Sequence, residues 1–333
     1  MNSTSQHLVS VVTPVYNGGD HLAECIESVL SQTYENWEYV IVNNCSTDNT
    51  LPIARRYEKK DNRIRIHNND EFLPIMKNWN HALRQMSPNS KYCKVVHADD
   101  WLFPQCVEQM VSVAEAHPSV GIVGSYGLKG TRVVGHGLPY PSEFIPGREL
   151  GKSVLLGHVY PFSRPTSLLI RSDVIRERDY FYDEGYLHAD VAACYEVLRR
   201  NDFGFIHQVL YFIRTHDQSV TSSEVRSLNK LIYSNLDLLI RYGPVFLTPE
   251  EYDKRLEKQV GQYYRFCAHG LFSLRGGEFW RFHKNALQQL VNKFSVSRLI
   301  FTAFIELIGH SRTAGYLFKR ALKTRIRDHG GFA

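Results

Sequence analysis

The 333-residue sequence has no CxxC pair and no zinc-finger spacing, and its six cysteines stand singly at 25, 45, 93, 106, 194 and 267. Such scatter argues against a disulfide framework or a zinc module and predicts reduced, buried thiols. No Gly-x-Gly-x-x-Gly follows the first apolar strand, and no G-x-x-x-x-G-K-[ST] occurs anywhere. A dinucleotide dehydrogenase and a P-loop enzyme therefore both lack their phosphate cradle. Excess charge is scarce as well. A formal net charge of +5 fits anionic small molecules or a lipid surface, not a nucleic-acid binder. The apolar stretch Val296 to Ile308 is interrupted by Arg298 and Glu306 and is too short to span a bilayer. The opening MNSTSQHL lacks a charged-then-apolar signal pattern, so export is not expected and a cytoplasmic location is. There is no internal repeat and no low-complexity tract.

What is present is an ordinary globular composition, 43% hydrophobic and 22% charged, in a chain long enough to bury a sizeable core. The run His7 to Val15 reads as a strand covered on both faces. Asn17-Gly18-Gly19-Asp20 is a turn, and Leu22, Ile26, Val29 and Leu30 line the helix after it. Strands follow at Trp37 to Val42, Ile64 to His67, Tyr92 to His97 and Val120 to Tyr126. Helices come between them: from Ser46-Thr47-Asp48 to about Lys59, on the stripe Ile75, Trp79, Leu83 and Met86, and on Val107, Met110, Val111 and Ala114.

This alternation predicts a doubly wound, mostly parallel α/β sheet with helices on both faces. Residues 127–165, rich in Gly and Pro, read as a long functional loop. Pro165 to Ile170 reads as a strand, His188 to Arg200 as a helix and Phe205 to Arg214 as a strand. From Ser222 the pattern turns helical. The expected division is 1–221, in halves 1–126 and 127–221, followed by a helical region 222–333. The helix at 296–308 and the basic residues Lys319, Arg320, Lys323, Arg325 and Arg327 behind it suit either a packed helix or peripheral contact with an anionic membrane surface.

In open α/β sheets ligands bind at the carboxyl ends of strands. Three polar clusters fall there: Thr13 to Asn17, Asn43-Asn44-Cys45-Ser46, and His97-Ala98-Asp99-Asp100. Adjacent carboxylates repel each other without a counter-ion, and Mg²⁺ or Mn²⁺ prefers oxygen ligands that leave room for phosphate. Asp99-Asp100 therefore suits a divalent metal bridging a diphosphate. Capping of the helix after Phe103-Pro104 is the competing role for Asp100.

Taken in order, Thr13-Pro14-Val15-Tyr16-Asn17, then Ser28 with Gln32-Thr33, then Ser46-Thr47-Asp48-Asn49-Thr50, then the acidic pair with Pro104, resemble family 2 glycosyltransferases of the GT-A fold. The helix HADVAACYEVL and the run Arg214, His216, Ser219, Thr221 resemble that family's later motifs, so the likeness covers about 215 residues. The resemblance implies an inverting, metal-dependent transfer of a sugar from a nucleotide diphosphate donor to a hydroxyl. The acceptor would be a saccharide or a lipid-linked saccharide, in cell-surface polysaccharide synthesis.

It assigns Asp190 as the base on the acceptor. Thr13, Pro14, Tyr16, Asn17, Asn43, Asn44, Lys77, Asn80, His97, Asp99 and Arg214 would bind the nucleotide sugar. Asp100, Asp99 and His216 would hold Mn²⁺ or Mg²⁺. Three departures stand out: Asn43-Asn44 replace two aspartates, His97 replaces the first aspartate of D-x-D-D, and His188-Ala189 precede Asp190 where an acid is common. Trp79-Asn80 also replaces a frequent Arg-Asn. A nitrogen ligand at 97 would lean the site toward Mn²⁺. A non-catalytic nucleotide-sugar binder and a nucleotidyltransferase are the alternatives; the second would want a basic residue in the loop at 17–20, which has none.

Overall fold

The computed structural model describes residues 6–135, 138–186, 188–214 and 228–309. The chain divides into two compact units, Met1–His216 and Asp217–Ala333. The expected boundary at 221 lies outside the described residues.

In the first unit β1 (Val9–Val15), α1 (Leu22–Leu30), β2 (Trp37–Asn43), α2 (Thr50–Glu58), β3 (Ile64–Asn68), α3 (Ile75–Arg84) and β4 (Tyr92–Val95) follow the expected alternation. The strands lie in the order β3-β2-β1-β4, all parallel. Every residue of β1 is buried, as a central strand covered on both faces requires. Pro14 falls beyond Val12, the last β1 residue paired with β4, so its missing N–H removes no ladder bond there.

β5 (Trp101–Leu102), α4 (Cys106–Ala116), β6 (Val120–Lys129), β7 (Arg132–Val134), β8 (Phe144–Ile145), α5 (Gly147–Leu156), β9 (Leu168–Arg171), α6 (Ser172–Arg176), α7 (Ala189–Leu198) and β10 (Asp202–Ile213) complete the unit. Here the sheet becomes mixed. β9 enters antiparallel between β4 and β6, and β6 then pairs parallel with β10. The purely parallel arrangement is thus confined to the first four strands and the β6–β10 pair. The segment 127–165 is not one loop: β7, β8 and α5 lie in it. Its Gly and Pro residues mark element ends, with Pro146 before α5 and Gly157, at φ 83°, closing it. Two- and three-residue strands carry too few positions to show an alternating pattern.

The second unit is helical, as expected: α8 (Leu231–Phe246), α9 (Pro249–Phe272), α10 (Gly277–Val291) and α11 (Val296–Gly309). Thr248 opens α9 with a reciprocal capping box, accepting from the Glu251 amide at 3.3 Å while the Glu251 carboxylate accepts from its own amide at 3.0 Å. Tyr263, Tyr264, Cys267 and Leu287 centre its core. Within it the Tyr263 hydroxyl meets His283 Nδ1 at 2.8 Å, and burial pushes that imidazole down to about 4.

Candidate active site

The first two loops at the carboxyl end of the sheet are tied together by short polar bonds. Asn17, at φ 49°, donates its amide to Ser46 Oγ at 3.0 Å and accepts from the Thr47 amide at 2.8 Å. The Gly18 and Gly19 amides donate to Thr50 Oγ1 and Asp48 Oδ2 at 2.8 and 2.9 Å. A Cβ on Gly18 would stand 2.7 Å from Val15 Cγ2, and one on Gly19 2.9 Å from Asp48 Oδ2, so both positions need glycine's small profile. Burial alone would raise the Asp48 carboxyl, but hydrogen bonds led by Thr50 hold it below the usual carboxylate range. Tyr16 lies exposed beside this junction, edge-on to Phe72 with ring centroids 4.9 Å apart. It is placed to offer an aromatic face to a planar ligand.

Several residues expected at the nucleotide also hydrogen-bond within the protein. The Thr13 side chain faces the core, where its hydroxyl donates to the Val96 carbonyl at 2.7 Å and pairs with the Tyr39 hydroxyl at 2.8 Å. Asn43 is buried and donates to Asn68 Oδ1. Asn44 donates to the Leu73 carbonyl and accepts from Asn69 Nδ2 and the Leu73 amide. Both side chains thereby tie the end of β2 to the 68–73 segment. Asn80 likewise brackets Tyr182, donating to its carbonyl at 2.7 Å and accepting from its amide at 2.9 Å. That ties α3 to the Tyr182 backbone. Lys77 is exposed on α3. His216 lies outside the described residues. Ser28 and Gln32 act as a staple: Ser28 Oγ accepts from the Leu102 amide, while Gln32 donates to the Phe103 carbonyl and accepts from the Val107 amide.

Just past β4 the polar groups converge. His97, Asp99 and Asp100 each place a ligand atom within 4.8 Å of the others. Asp100 is 1% exposed and caps no helix; α4 begins at Cys106 with no side-chain cap. Instead Asp100 Oδ2 accepts from Thr166 Oγ1 at 2.7 Å and Oδ1 from the Arg214 amide at 3.3 Å. Burial, then repulsion from Asp99, pushes the Asp100 carboxyl up to about 7 against the pull of Arg164. Burial likewise pushes His97 down to about 4, and its Nε2 is buried without a hydrogen-bond partner. A neutral imidazole with an unpartnered buried nitrogen, beside two crowded carboxylates, is a donor set that fits a divalent cation.

The sequence did not single out Arg164 and Lys94, which organise this cluster. Arg164 Nη1 stands 3.9 Å from Asp99 Oδ2 and 3.8 Å from Asp100 Oδ1. It comes from a 3-10 turn, Pro165–Ser167, that it caps. Lys94, fully buried in β4, donates to the Thr166 and Leu168 carbonyls at 2.5 and 3.2 Å and so holds that turn in place. Arg214 pairs its guanidinium with Glu24 on α1 while its amide reaches Asp100.

Asp190 lies in the first turn of α7, with Oδ1 accepting from the Val191 amide at 2.9 Å. It lines a small pocket with Phe162, Arg164, Pro165 and Tyr182. Burial raises its carboxyl, opposed first by the neighbouring His188. The Trp79 ring lies tilted against His97 with centroids 4.7 Å apart and stands edge-on to Tyr182 at 5.4 Å. Of the expected site residues, the structure therefore brings His97, Asp99, Asp100 and Arg214 together, and Arg164 connects them to the pocket of Asp190.

The mixed α/β sheet, with an acidic cluster at a strand end faced by an arginine and a carboxylate at a helix start, is of the GT-A fold. The model for "Glycosyl transferase family 2" matches residues 10–178, and the chain belongs to that family. EpsE of Bacillus subtilis, provisionally named a glycosyltransferase, is 34% identical over 134 residues, which are 38% of this chain and 48% of EpsE. An uncharacterized glycosyltransferase of Haemophilus influenzae is 28% identical over 250 residues, 68% of this chain and 75% of its own length. TuaG of B. subtilis, provisionally named for teichuronic acid biosynthesis, is 34% identical over 118 residues, 35% of this chain and 46% of TuaG. The aligned part thus spans about half of EpsE and TuaG.

Among solved structures, S. aureus TarS in complex with UDP-GlcNAc superposes with a TM-score of 0.65 at 17% identity, over 98% of this chain and 93% of that one. The mannosyltransferase PcManGT of Pyrobaculum calidifontis, in complex with GDP-Man and Mn²⁺, gives 0.58 at 16% identity, over 96% and 87%. At that identity the likeness speaks to fold.

Proposed function

We propose that the protein is an inverting, metal-dependent transferase that moves a sugar from a nucleoside diphosphate donor to a hydroxyl of a saccharide or lipid-linked saccharide. Its place would be polysaccharide assembly on the cytoplasmic side of a membrane. The observation that carries this is the placement of Arg164 between the Asp99–Asp100 pair and the Asp190 pocket. One relative provisionally named for teichuronic acid biosynthesis, and neighbours bound to UDP-GlcNAc or GDP-Man, support the donor and acceptor classes.

In this reading His97, Asp99 and Asp100 hold Mn²⁺ or Mg²⁺, with the imidazole favouring Mn²⁺. The ion, when bound, would neutralise the donor's diphosphate and stabilise the charge it gains on leaving. Tyr16 offers its ring to the base, and Pro14 and Asn17 shape the loop beneath it. Arg164 and Arg214 add positive charge on the leaving-group side. Asp190 accepts the proton of the acceptor hydroxyl as that oxygen attacks the anomeric carbon. One base opposite one leaving group gives a single displacement, hence inversion.

Two results check it. In a thermal-shift panel of UDP, GDP, dTDP and CDP sugars, one nucleotide class should raise Tm in Mn²⁺ and fail to do so in EDTA. No shift with any donor in folded protein would overturn the reading. Arg164→Met should weaken donor binding about tenfold or more, the scale of a lost hydrogen bond to a charged group. Titration calorimetry giving wild-type affinity would remove Arg164 from the donor site.

A further inference from the structure

The last described helix is inside out. At about 100° per residue, Val296, Leu307, Ile300, Phe304, Ile308, Phe301 and Ile305 follow one another around roughly half of α11, and no charged residue of the helix falls in that arc. Ser297 also falls in it, between Phe304 and Ile308; the seven apolar residues are all exposed, Ile300, Phe301 and Ile308 by 62 to 65%. The buried positions are Leu299 and Glu306. Glu306 turns inward onto α9, where Arg265 Nε reaches it at 2.8 Å and His269 Nε2 at 3.0 Å. A helix facing water does the reverse, burying its apolar stripe and exposing its charge. The ion pairs fix which side of α11 faces inward, so the apolar arc is held outward.

What meets that arc can be argued from charge. The chain continues from α11 with Arg312, Lys319, Arg320, Lys323, Arg325 and Arg327 against the single acid Asp328. Arg298 sits at the rim of the arc, its guanidinium 4.9 Å from the Tyr264 ring. Two copies meeting through this region would bring basic segments of like sign together, whereas an anionic lipid surface is complementary to them. No described helix is long and apolar enough to cross a membrane, and α11 has 14 residues. An amphipathic helix of that length with basic neighbours lies in the plane of the headgroups.

We propose that the outward face of α11 docks on an anionic bilayer surface. This surface is independent of the transfer reaction and would bring the first unit to a lipid-linked acceptor.

The test is co-sedimentation of the full chain with phosphatidylcholine vesicles, with and without phosphatidylglycerol. The wild type should bind the anionic vesicles at least tenfold more tightly than the neutral ones. Ile300→Ser, Phe304→Ser and Ile308→Ser combined should lose that binding at least tenfold; these side chains are exposed, so circular dichroism and the donor-induced thermal shift should be unchanged. Equal binding of wild type and triple variant would overturn the proposal. So would a wild type that forms a stable oligomer, ignores vesicles and becomes monomeric in the variant, because the occupant would then be a second copy. Because the donor-induced shift is read separately, failure here is distinguishable from failure of the transferase assignment.

Discussion

Asp190→Asn should leave donor binding intact and slow transfer by roughly 10²- to 10⁴-fold, the contribution of a positioned general base. The Asn keeps the size of the side chain and can still accept from the Val191 amide, so the start of α7 should hold. What it loses is the ability to take a proton. The wild-type acid limb carries the same signature. Burial raises the Asp190 carboxyl, so the base is lost as pH falls through a value above the ordinary carboxylate range. Single-turnover transfer measured against pH, for wild type and variant, checks both statements. A variant that transfers at the wild-type rate would end the assignment.

Asp100→Asn should have two opposite effects. Donor binding and turnover should fall by about 100-fold or more, because a ligand to the proposed cation and its charge are gone. Metal-free stability should rise. Asp100 is buried, and its carboxyl lies near 7, against about 3.9 in an unfolded chain. A raised acid opposes folding when charged, so the penalty is full above pH 7 and absent below the unfolded value. The Asn variant should therefore unfold at higher temperature than wild type at pH 8, with the gain disappearing toward pH 4. Calorimetry across that range, in EDTA, measures it. Lower stability at pH 8 would show that the carboxylate is structural, whatever the activity does.

The sheet was legible from sequence where strands are long and largely buried: Val9 to Val15 and Trp37 to Val42 are predominantly apolar runs. The acidic pair was legible because it follows such a run directly. Arg164 and Thr166 were not, since they reach Asp100 from a short turn 66 residues away, next to a strand that enters antiparallel. Alternation of strand and helix predicts parallel pairing and has no signal for such an insertion. Lys94 reads as one polar residue in an apolar strand. Its role depends on carbonyls more than 70 residues downstream.

Asn44 and Asn80 sit where a family pattern places ligand contacts, and each also clamps backbone, donating to one carbonyl and accepting from one amide. A motif marks a location at the carboxyl end of the sheet, and the partners available in three dimensions decide what each side chain does there.

The most direct test of the central claim is release of nucleoside diphosphate from the donor identified by thermal shift, followed for the purified chain with Mn²⁺ and with EDTA. Slow hydrolysis or transfer that needs the metal, releases the diphosphate rather than pyrophosphate, and is abolished in Asp190→Asn is the predicted result. Tight, metal-dependent donor binding with no diphosphate released, with or without saccharide acceptors, would contradict it and leave a nucleotide-sugar binder.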